Sequence, residues 1–335
     1  MKKNIAVCLT AIVFYLLSPK VSYVFCQTES PDTFESVVKL VDRNSQLVIL
    51  SEKGNGALIA VWPAMQGRVL TSSADGETGQ SFGWVNRDLI ASGKVPPHVN
   101  AVGGEDRLWI GPEGGQFSIF FAPKAPFDLD HWFTPAPIDT EPFTVVGQTE
   151  MSVILNKEFS LTNYSGAKFD VRIHREVRLL TRAQIWNCLH MTEVSGVKVV
   201  GFESDNRMTN LASSNWDKAT GLLSLWVLGQ FNASSSAKIV LPIHEGSTAK
   251  LGIPVTADYF GSVPSDRIAI MPKYVVFKAD AHYRSKLGLS PRRSTGIMGS
   301  YDPENHVLTI MQYSQPKNEA NYVNSTWRIQ QAVTK

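Results

Sequence analysis

Residues 222–231 have the sequence LLSLWVLGQF, with Ser224 as the only polar side chain before Gly229. Successive side chains of a strand point to opposite faces, so both faces of this segment are apolar if it is extended. A strand that is apolar on both faces must be covered on both sides, which requires at least two sheet layers. We therefore expect Leu223, Leu225, Trp226 and Val227 to be mostly buried.

The rest of the chain repeats this kind of segment. Short runs of β-branched and aromatic residues end at Gly, Pro, Asn or Asp, the pattern typical of strands. Helical periodicity is weak and confined to 84–91, no internal repeat is visible, and no linker divides the chain near its middle. The sequence predicts an all-β fold, in one domain over 36–332, after a polar, flexible leader at 27–35. The candidate strands besides 222–231 are 37–41, 47–50, 57–62, 68–71, 117–121, 143–146, 151–155, 169–180, 197–202, 238–242, 267–271, 274–278, 307–313 and 326–329.

One candidate strand, 169–180, carries a wholly ionisable face. The opposite face is apolar and is interrupted only by Arg175; it consists of Phe169, Val171, Ile173, Val177 and Leu179. The ionisable face either meets water, with cross-strand ion pairs, or lines a polar cleft. It consists of Asp170, Arg172, His174, Glu176 and Arg178.

Composition excludes several classes of protein. The 335 residues are 43% hydrophobic and 19% charged, as in a folded globular protein. The 32 basic residues nearly balance the 30 acidic ones, so no basic field favours nucleic acid as a partner.

The first 26 residues resemble a secretory signal peptide. Lys2 and Lys3 precede an apolar run from Ile5 to Leu17, which is too short to span a bilayer as a helix. Cleavage after Cys26 would leave Gln27 as the first residue, whereas a lipid on Cys26 would anchor the protein. We expect a periplasmic or secreted protein, or alternatively a lipid-anchored protein of the cell envelope, with no membrane span.

Motifs for cofactors are missing from the sequence. The seven histidines have no HxH or HExxH spacing, and no CxxC pair, GxGxxG motif or P-loop occurs. Cys188 is the only cysteine beyond the signal, so no internal disulfide is expected, and we interpret it as a buried, inert thiol. The sequence predicts neither a metal nor another cofactor.

A more specific signature lies at 103–115, GGEDRLWIGPEGG, where two glycine pairs flank a short strand with Arg107 and Trp109. It resembles a signature of uncharacterised bacterial exported proteins in the galactose mutarotase-like (aldose 1-epimerase-like) superfamily. The segments GALIAVWPAMQGRVLTSSADG (56–76), LLSLWVLGQF (222–231), RSKLGLSPRR (284–293), GSYD (299–302) and HVLTIMQY (306–313) are also similar to that branch. The resemblance covers about 36–330.

This resemblance implies a single-domain β-supersandwich with a concave, sugar-binding face. Mutarotases use a carboxylate and a histidine on opposite sides of one pyranose to open and close its ring. The chain lacks the Asn-Arg that ordinarily follows Gly-Arg, since Gly67 and Arg68 lead into VLTSS. The His segment with Tyr-Phe-Asn-Leu and the late Pro-Gly-Glu are missing too. Classical catalytic residues therefore cannot be transferred.

Individual candidates follow from residue type and setting. His131 and Trp132 lie in the Pro-flanked loop DLDHWFTP, and Asp217 follows Trp216 in SSNWDKATG. We predict that a saccharide-binding site is formed by Arg107, Trp109, Glu113, His131, Trp132 and Asp217. Candidates for catalysis are His131, His190, Asp217 and Glu113. Because His190 lies on a predicted strand, it is more typical of a core histidine.

A local basic cluster of Arg284, Lys286, Arg292 and Arg293 could hold an acidic sugar or phosphate, or be a solvated charge run. Two function classes remain. The first is an exported carbohydrate-binding protein without the epimerase residues. The alternative is a carbohydrate-active enzyme, either an aldose 1-epimerase or a sugar lyase or hydrolase. The sugar and the oligomeric state stay open.

Overall fold

The computed structural model describes residues 32–42, 46–315, 323 and 325–329. The signal peptide, Cys26 and Gln27 lie outside these residues. The described chain has fourteen strands and four α-helices. The helices are α1 (Phe34–Asp42), α2 (Arg87–Ser92), α3 (Arg182–Cys188) and α4 (Thr248–Leu251). The strands are β1 (Val48–Ser51), β2 (Leu58–Trp62), β3 (Arg68–Ser73), β4 (Arg107–Gly111), β5 (Thr144–Gln148), β6 (Ser152–Thr162), β7 (Lys168–Leu179), β8 (Phe202–Asn210), β9 (Ser224–Leu228), β10 (Lys238–Pro242), β11 (Ile268–Ile270), β12 (Tyr274–Lys278), β13 (Ile297–Asp302) and β14 (Val307–Gln312).

These strands form four antiparallel sheets, so the all-β fold class is confirmed. The described chain divides into two compact units, one of residues 32–231 with 323–329 and one of residues 232–315. The first unit contains the sheets β1-β2-β3, β4-β9 and β5-β6-β7-β8. The second contains the five-stranded sheet β11-β12-β10-β13-β14. The single domain over 36–332 stays a prediction.

Each unit has its own apolar core. In the first, α1 packs against β2 and β3 through Phe34, Val37 and Val41. In the second, Leu241, Ile243, Val255 and Val275 form the core, with Val275 fully buried. No helix among the described residues is long and apolar enough to cross a membrane.

The double-sided burial expected of 222–231 is largely confirmed. Leu223, Leu225 and Val227 are buried, and Trp226 is partly buried. Strand β9 pairs with β4 in register, Trp226 opposite Trp109.

Buried and more exposed side chains alternate along β7 as expected. The one charged residue on the buried face is Arg175. Arg175 is fully buried on the apolar face. Its guanidinium pairs with Asp106 and donates to the Asn206 side chain (2.5 Å) and to the Gly67 carbonyl (2.9 Å). In the sequence, this arginine interrupts the apolar face of the strand. In the structure, it forms a buried ion pair with Asp106.

Several local predictions are wrong. Residues 37–41 are helical in α1, which begins at Phe34 within the predicted leader, and 117–121 and 326–329 form no strand. Strand β8 begins only at Phe202, where the predicted strand 197–202 ends, and β13 was not predicted. Residues around Cys188 belong to α3 because Thr181 and Gln184 form a capping box at its start. Cys188 is exposed rather than buried.

Candidate functional site

The predicted site residues on β4 belong to a buried network. Because β4 is regular, Arg107 and Trp109 share a face, and the guanidinium carbon of Arg107 lies 4.2 Å from the Trp109 ring centroid. Trp109 Nε1 donates to Glu113 Oε1 at 2.7 Å. All three residues are buried. The sequence prediction that they lie together is therefore correct in geometry, but their side chains face the interior.

Arg107 also fixes a distant segment of chain. Its Nη2 donates to Asp139 Oδ1 (2.7 Å) and to the Ile138 carbonyl (3.0 Å), and Asp139 in turn accepts from the Asn100 backbone N–H. Burial lowers the pKa of Arg107, an effect that the Asp139 charge opposes. The network thus holds Asn100 and the segment 138–139 against β4.

A second buried arginine lies close to this network. Arg68 is fully buried and donates to the Gly103 carbonyl at 2.6 Å. Burial lowers its pKa well below the ordinary value, and the charge of Arg107 lowers it further. The chain therefore keeps several guanidinium groups in its interior, and each is held by carbonyl or carboxylate oxygens.

Trp132 anchors the loop that carries His131. Its buried ring stacks on Phe120 at 5.1 Å and on Trp327 at 6.1 Å, while Phe120 also contacts Trp109. The Trp132 carbonyl lies 2.7 Å from His98 Nδ1, so the loop is also tied to residue 98. The predicted stacking ring is therefore part of the core.

Phe133, in the same loop, has a solvent-exposed aromatic ring. It is 46% exposed and stacks on His98 at 4.5 Å. Beside it, His131 Nδ1 lies 2.6 Å from Asp128 Oδ1, and both side chains are about half exposed. The hydrogen bond to His131 lowers the pKa of Asp128. We call Asp128, His131, Phe133 and His98 the loop site.

The geometry of the Asp128–His131 pair comes from contacts between residues close in sequence. Asp128 caps the short 3₁₀ helix Leu129–His131 by accepting from the His131 backbone N–H at 3.1 Å. The same carboxylate then holds the imidazole, which leaves Nε2 directed away from Asp128. The Asp-x-x-His spacing in DLDH is a signal that could have indicated this pair from sequence.

The two remaining candidates lie elsewhere. Asp217 is exposed, and its contacts among the described residues stay within its own turn, including a 2.6 Å bond from the Ala219 N–H. His190 is exposed just after α3, with φ +54°, so its interpretation as a core histidine on a strand is wrong. The assignment of Arg107, Trp109, Glu113, His131, Trp132 and Asp217 to a saccharide site stays a prediction.

The ionisable face of β7 carries cross-strand ion pairs. Arg172 pairs with Glu158 on β6 (2.6 Å) and Arg178 with Glu203 on β8 (2.9 Å). This arrangement agrees with the solvated-face alternative for these positions.

The middle of the same face also carries carboxylates, which pair with arginines of their own strands. Glu176 and Asp205 lie directly opposite each other in the β7–β8 register, and both are half-buried. Next to them, His174 Nδ1 lies 2.9 Å from Asn156 Oδ1 on β6. We call Glu176, Asp205 and His174 the sheet-face cluster. Nothing in the sequence singled out Asp205, because its position opposite Glu176 depends on the pairing register.

Metal binding has little support in the described part of the chain. There, no group of three or more His, Cys, Asp or Glu side chains is arranged to hold an ion.

Comparisons with known proteins place the chain in a family. It belongs to a family of unknown function, DUF6786, which matches residues 32–335. A solved structure of the Slr1438 protein from Synechocystis sp. PCC 6803, a structural genomics target, is similar to it. The two share 13% sequence identity, with 84% of this chain and 78% of that chain covered and a TM-score of 0.40. No curated protein matches the chain.

Proposed function

We propose that this member of the DUF6786 family is an exported protein that binds a carbohydrate at its loop site. The observation that carries the proposal is the exposed Phe133 ring, two residues along the chain from His131 in the exposed Asp128–His131 pair. A sugar ring offers apolar C–H faces for stacking and a rim of hydroxyls that need donors and acceptors, and the loop site offers both kinds of contact.

The buried residues support the loop site by making it rigid. Trp132 is held between Phe120 and Trp327, and the Phe133 backbone N–H donates to the Phe120 carbonyl at 2.9 Å. A site on a rigid support loses little conformational entropy when it binds a ligand. In this proposal Arg107, Trp109, Glu113 and Trp132 act as support, and His131 contacts the sugar.

The resemblance to the galactose mutarotase-like superfamily adds a second line of support. The signature at 103–115 contributes the buried strand β4 and its glycine turns. Proteins of that superfamily bind sugars on a β-supersandwich, the architecture that we propose for this chain. The chemistry at the site, however, has to come from this chain's own residues.

The proposed location is the periplasm or the exterior of the cell. Its support is the charged start and short apolar run of residues 1–26. Sequencing the amino terminus of the exported protein should find Gln27 or a residue within a few positions of it. A start at lipid-modified Cys26 would indicate the anchored form. A protein that stays in the cytoplasm with residues 1–26 still attached would contradict export.

Calorimetric titration with a panel of neutral mono- and oligosaccharides tests binding. For a saccharide that binds, Phe133→Ala and His131→Gln should each weaken affinity about tenfold, the effect of losing one stacking contact or one hydrogen bond. Tyr301→Ala and His306→Gln are matched controls, because Tyr301 is also 46% exposed and His306 is exposed, and both lie in the other unit.

Equal affinity in Phe133→Ala, His131→Gln and the wild type would contradict the loop site. Failure of every saccharide in the panel to bind the wild type would contradict the proposal as a whole. Circular dichroism at the titration temperature establishes that each variant is folded.

The alternative function, a carbohydrate-active enzyme, is favoured by the sheet-face cluster. Paired carboxylates near a histidine can supply an acid and a base to a sugar. Glu176 and Asp205 hold such a pairing on adjacent strands, and His174 is oriented by Asn156.

Exchange of anomers, followed by nuclear magnetic resonance across several aldoses, tests this alternative. Catalysis above the buffer rate that Glu176→Gln and His174→Gln both abolish would support it. Arg172→Gln on the same face serves as the control. Exchange at the buffer rate for every aldose would contradict an epimerase.

A further inference from the structure

Two surface loops of the unit 232–315 are joined to each other by hydrogen bonds. Thr256 and Gly288 exchange two backbone hydrogen bonds of 2.8 Å at one end. Toward the other end, the Tyr283 hydroxyl donates to the Ser262 carbonyl at 3.1 Å. These contacts fix the residues between them, 257–261 and 284–287, side by side.

Two aromatic rings and two cations face each other across this pair. Tyr259 and Phe260 are in edge contact at 4.8 Å and remain 48% and 39% exposed. The Arg284 guanidinium carbon lies 4.1 Å from the Phe260 ring centroid, and Lys286 Nζ lies 4.5 Å from the Tyr259 centroid. We call these four residues the cation–aromatic patch.

The charge of Arg284 is available to a ligand. Among the described residues, no carboxylate forms an ion pair with its guanidinium, which lies over the neutral face of the Phe260 ring. Partial burial against the rings lowers the pKa of Arg284. A cation–π contact at an exposed site is weak, so an anion can compete for this guanidinium.

The other arginines of the basic cluster have structural roles. Arg293 is buried and donates to the carbonyls of His244, Gly246 and Gly252 at 2.7–3.1 Å. Arg292 donates to the Lys250 carbonyl at 3.0 Å. The basic run at 284–293 therefore contains arginines that hold backbone carbonyls and two further cations, the exposed Arg284 and the half-buried Lys286.

We propose that the cation–aromatic patch binds an acidic saccharide, a chain of sugar rings that carry carboxylates. Exposed rings provide stacking for C–H faces, and Arg284 can donate two parallel hydrogen bonds to one carboxylate. The Lys286 ammonium, which lies over the Tyr259 ring, adds to the positive charge of the patch. This surface lies in a different unit from the loop site, and the observations behind it are independent of that site.

The combination of rings and cations selects among anions. Inorganic phosphate or sulfate would use the cations alone, and a neutral saccharide would use the rings alone. A uronic acid oligomer uses both, so its affinity should depend on both kinds of residue.

Calorimetric titration of the full chain with trigalacturonate tests the proposal. We expect binding that Arg284→Gln and Phe260→Ala each weaken about tenfold, as the loss of a charge-assisted hydrogen bond or a stacking contact would. Lys286→Gln should weaken it less, because an ammonium makes no bidentate contact. Lys273→Gln is the matched control, since Lys273 is an exposed lysine of the same unit and its loss changes net charge equally.

Two results would overturn the proposal. One is an unchanged affinity for trigalacturonate in both Arg284→Gln and Phe260→Ala, which circular dichroism shows to be folded. The other is equal affinity for inorganic phosphate, unaffected by Phe260→Ala, which would make the patch a simple anion site. Loss of affinity in Phe133→Ala or His131→Gln instead would assign the acidic sugar to the loop site, so failure of the patch is distinguishable from failure of the proposed function.

Discussion

Glu105 is a buried carboxyl whose protonation depends on folding. Its oxygens accept from the Ser72 backbone N–H (2.6 Å) and contact the Ser72 hydroxyl. Burial raises its pKa from 4.5 to about 7, against the opposing effect of the Ser72 hydrogen bonds. The folded protein therefore holds a proton on Glu105 at a pH where the unfolded chain has lost it.

This shift predicts a pH-dependent free energy of unfolding. Because the folded pKa is raised, the stabilisation is complete below about pH 4.5 and is lost as pH rises through about 7, a change of about 3 kcal/mol. Glu105→Gln keeps an amide oxygen that can accept from the Ser72 N–H and hydroxyl, and it should remove this pH-dependent component. Urea unfolding at pH 5, 6, 7 and 8 measures the difference between wild type and variant. The exposed-carboxylate variant Glu77→Gln is the control, and a constant difference across these pH values would contradict the prediction.

The buried ion pair of Arg175 leads to a second prediction at the residue scale, which concerns the free energy of unfolding. Arg175→Met leaves Asp106 buried without its cation, so we expect a loss of about 3–5 kcal/mol in the free energy of unfolding. Arg172→Met, on the exposed face of the same strand, should cost less than about 1 kcal/mol. Replacing both partners, as Arg175→Met with Asp106→Leu, should recover part of the loss. Equal costs for the Arg175 and Arg172 variants in urea unfolding would show that burial does not decide the effect.

At the scale of elements, the sequence predicts strands well and the helix α1 poorly. The run Val37–Val41 has the composition of a strand, and a short apolar run does not reveal its period. Phe34, Val37 and Val41 recur at helical spacing and are buried on one face of α1. Packing against β2 and β3 therefore overrides the local preference of the valines.

The loop site shows where prediction from sequence ends. The sequence proposes Arg107, Trp109 and the loop around His131 as site candidates, and that assignment stays a prediction. It could not show that Trp132 points inward and Phe133 outward, because an irregular loop has no fixed alternation. It also could not show that Arg107 pairs with Asp139, 32 residues away, since that contact depends on the folded chain.

The glycine turn before β4 makes a prediction at the element scale. Gly103 has φ +95°, and a Cβ there would lie 2.1 Å from the Trp84 carbonyl oxygen. Gly103→Ala should therefore cost about 3 kcal/mol, from backbone strain together with the clash. Gly54→Ala has a similar φ of +81° but open space around the added methyl, and should cost about 1 kcal/mol. Thermal unfolding that finds the two variants equal would mean that the Trp84 carbonyl moves away freely.

On the scale of the whole molecule, the two compact units are joined in an unusual order. Residues 232–315 form one unit, and the chain then returns to the other, where the Trp327 ring contacts Phe121 and Trp132. Phe231, at the exit from the first unit, is bridged to Gly83. The described segments before and after 232–315 therefore both belong to the other unit.

This arrangement, with the absence of a linker in the sequence, predicts that the chain unfolds as one cooperative domain. All eight tryptophans lie outside 232–315, so their fluorescence reports only the first unit, whereas far-ultraviolet circular dichroism reports both. The two signals should follow the same urea transition, as two-state unfolding requires. Val275→Ala, in the core of 232–315, should lower the midpoint of both signals equally through a loss on the order of 2 kcal/mol. A shift of the circular dichroism transition alone, with unchanged fluorescence, would show that 232–315 is an independent domain and that the single-domain prediction is wrong.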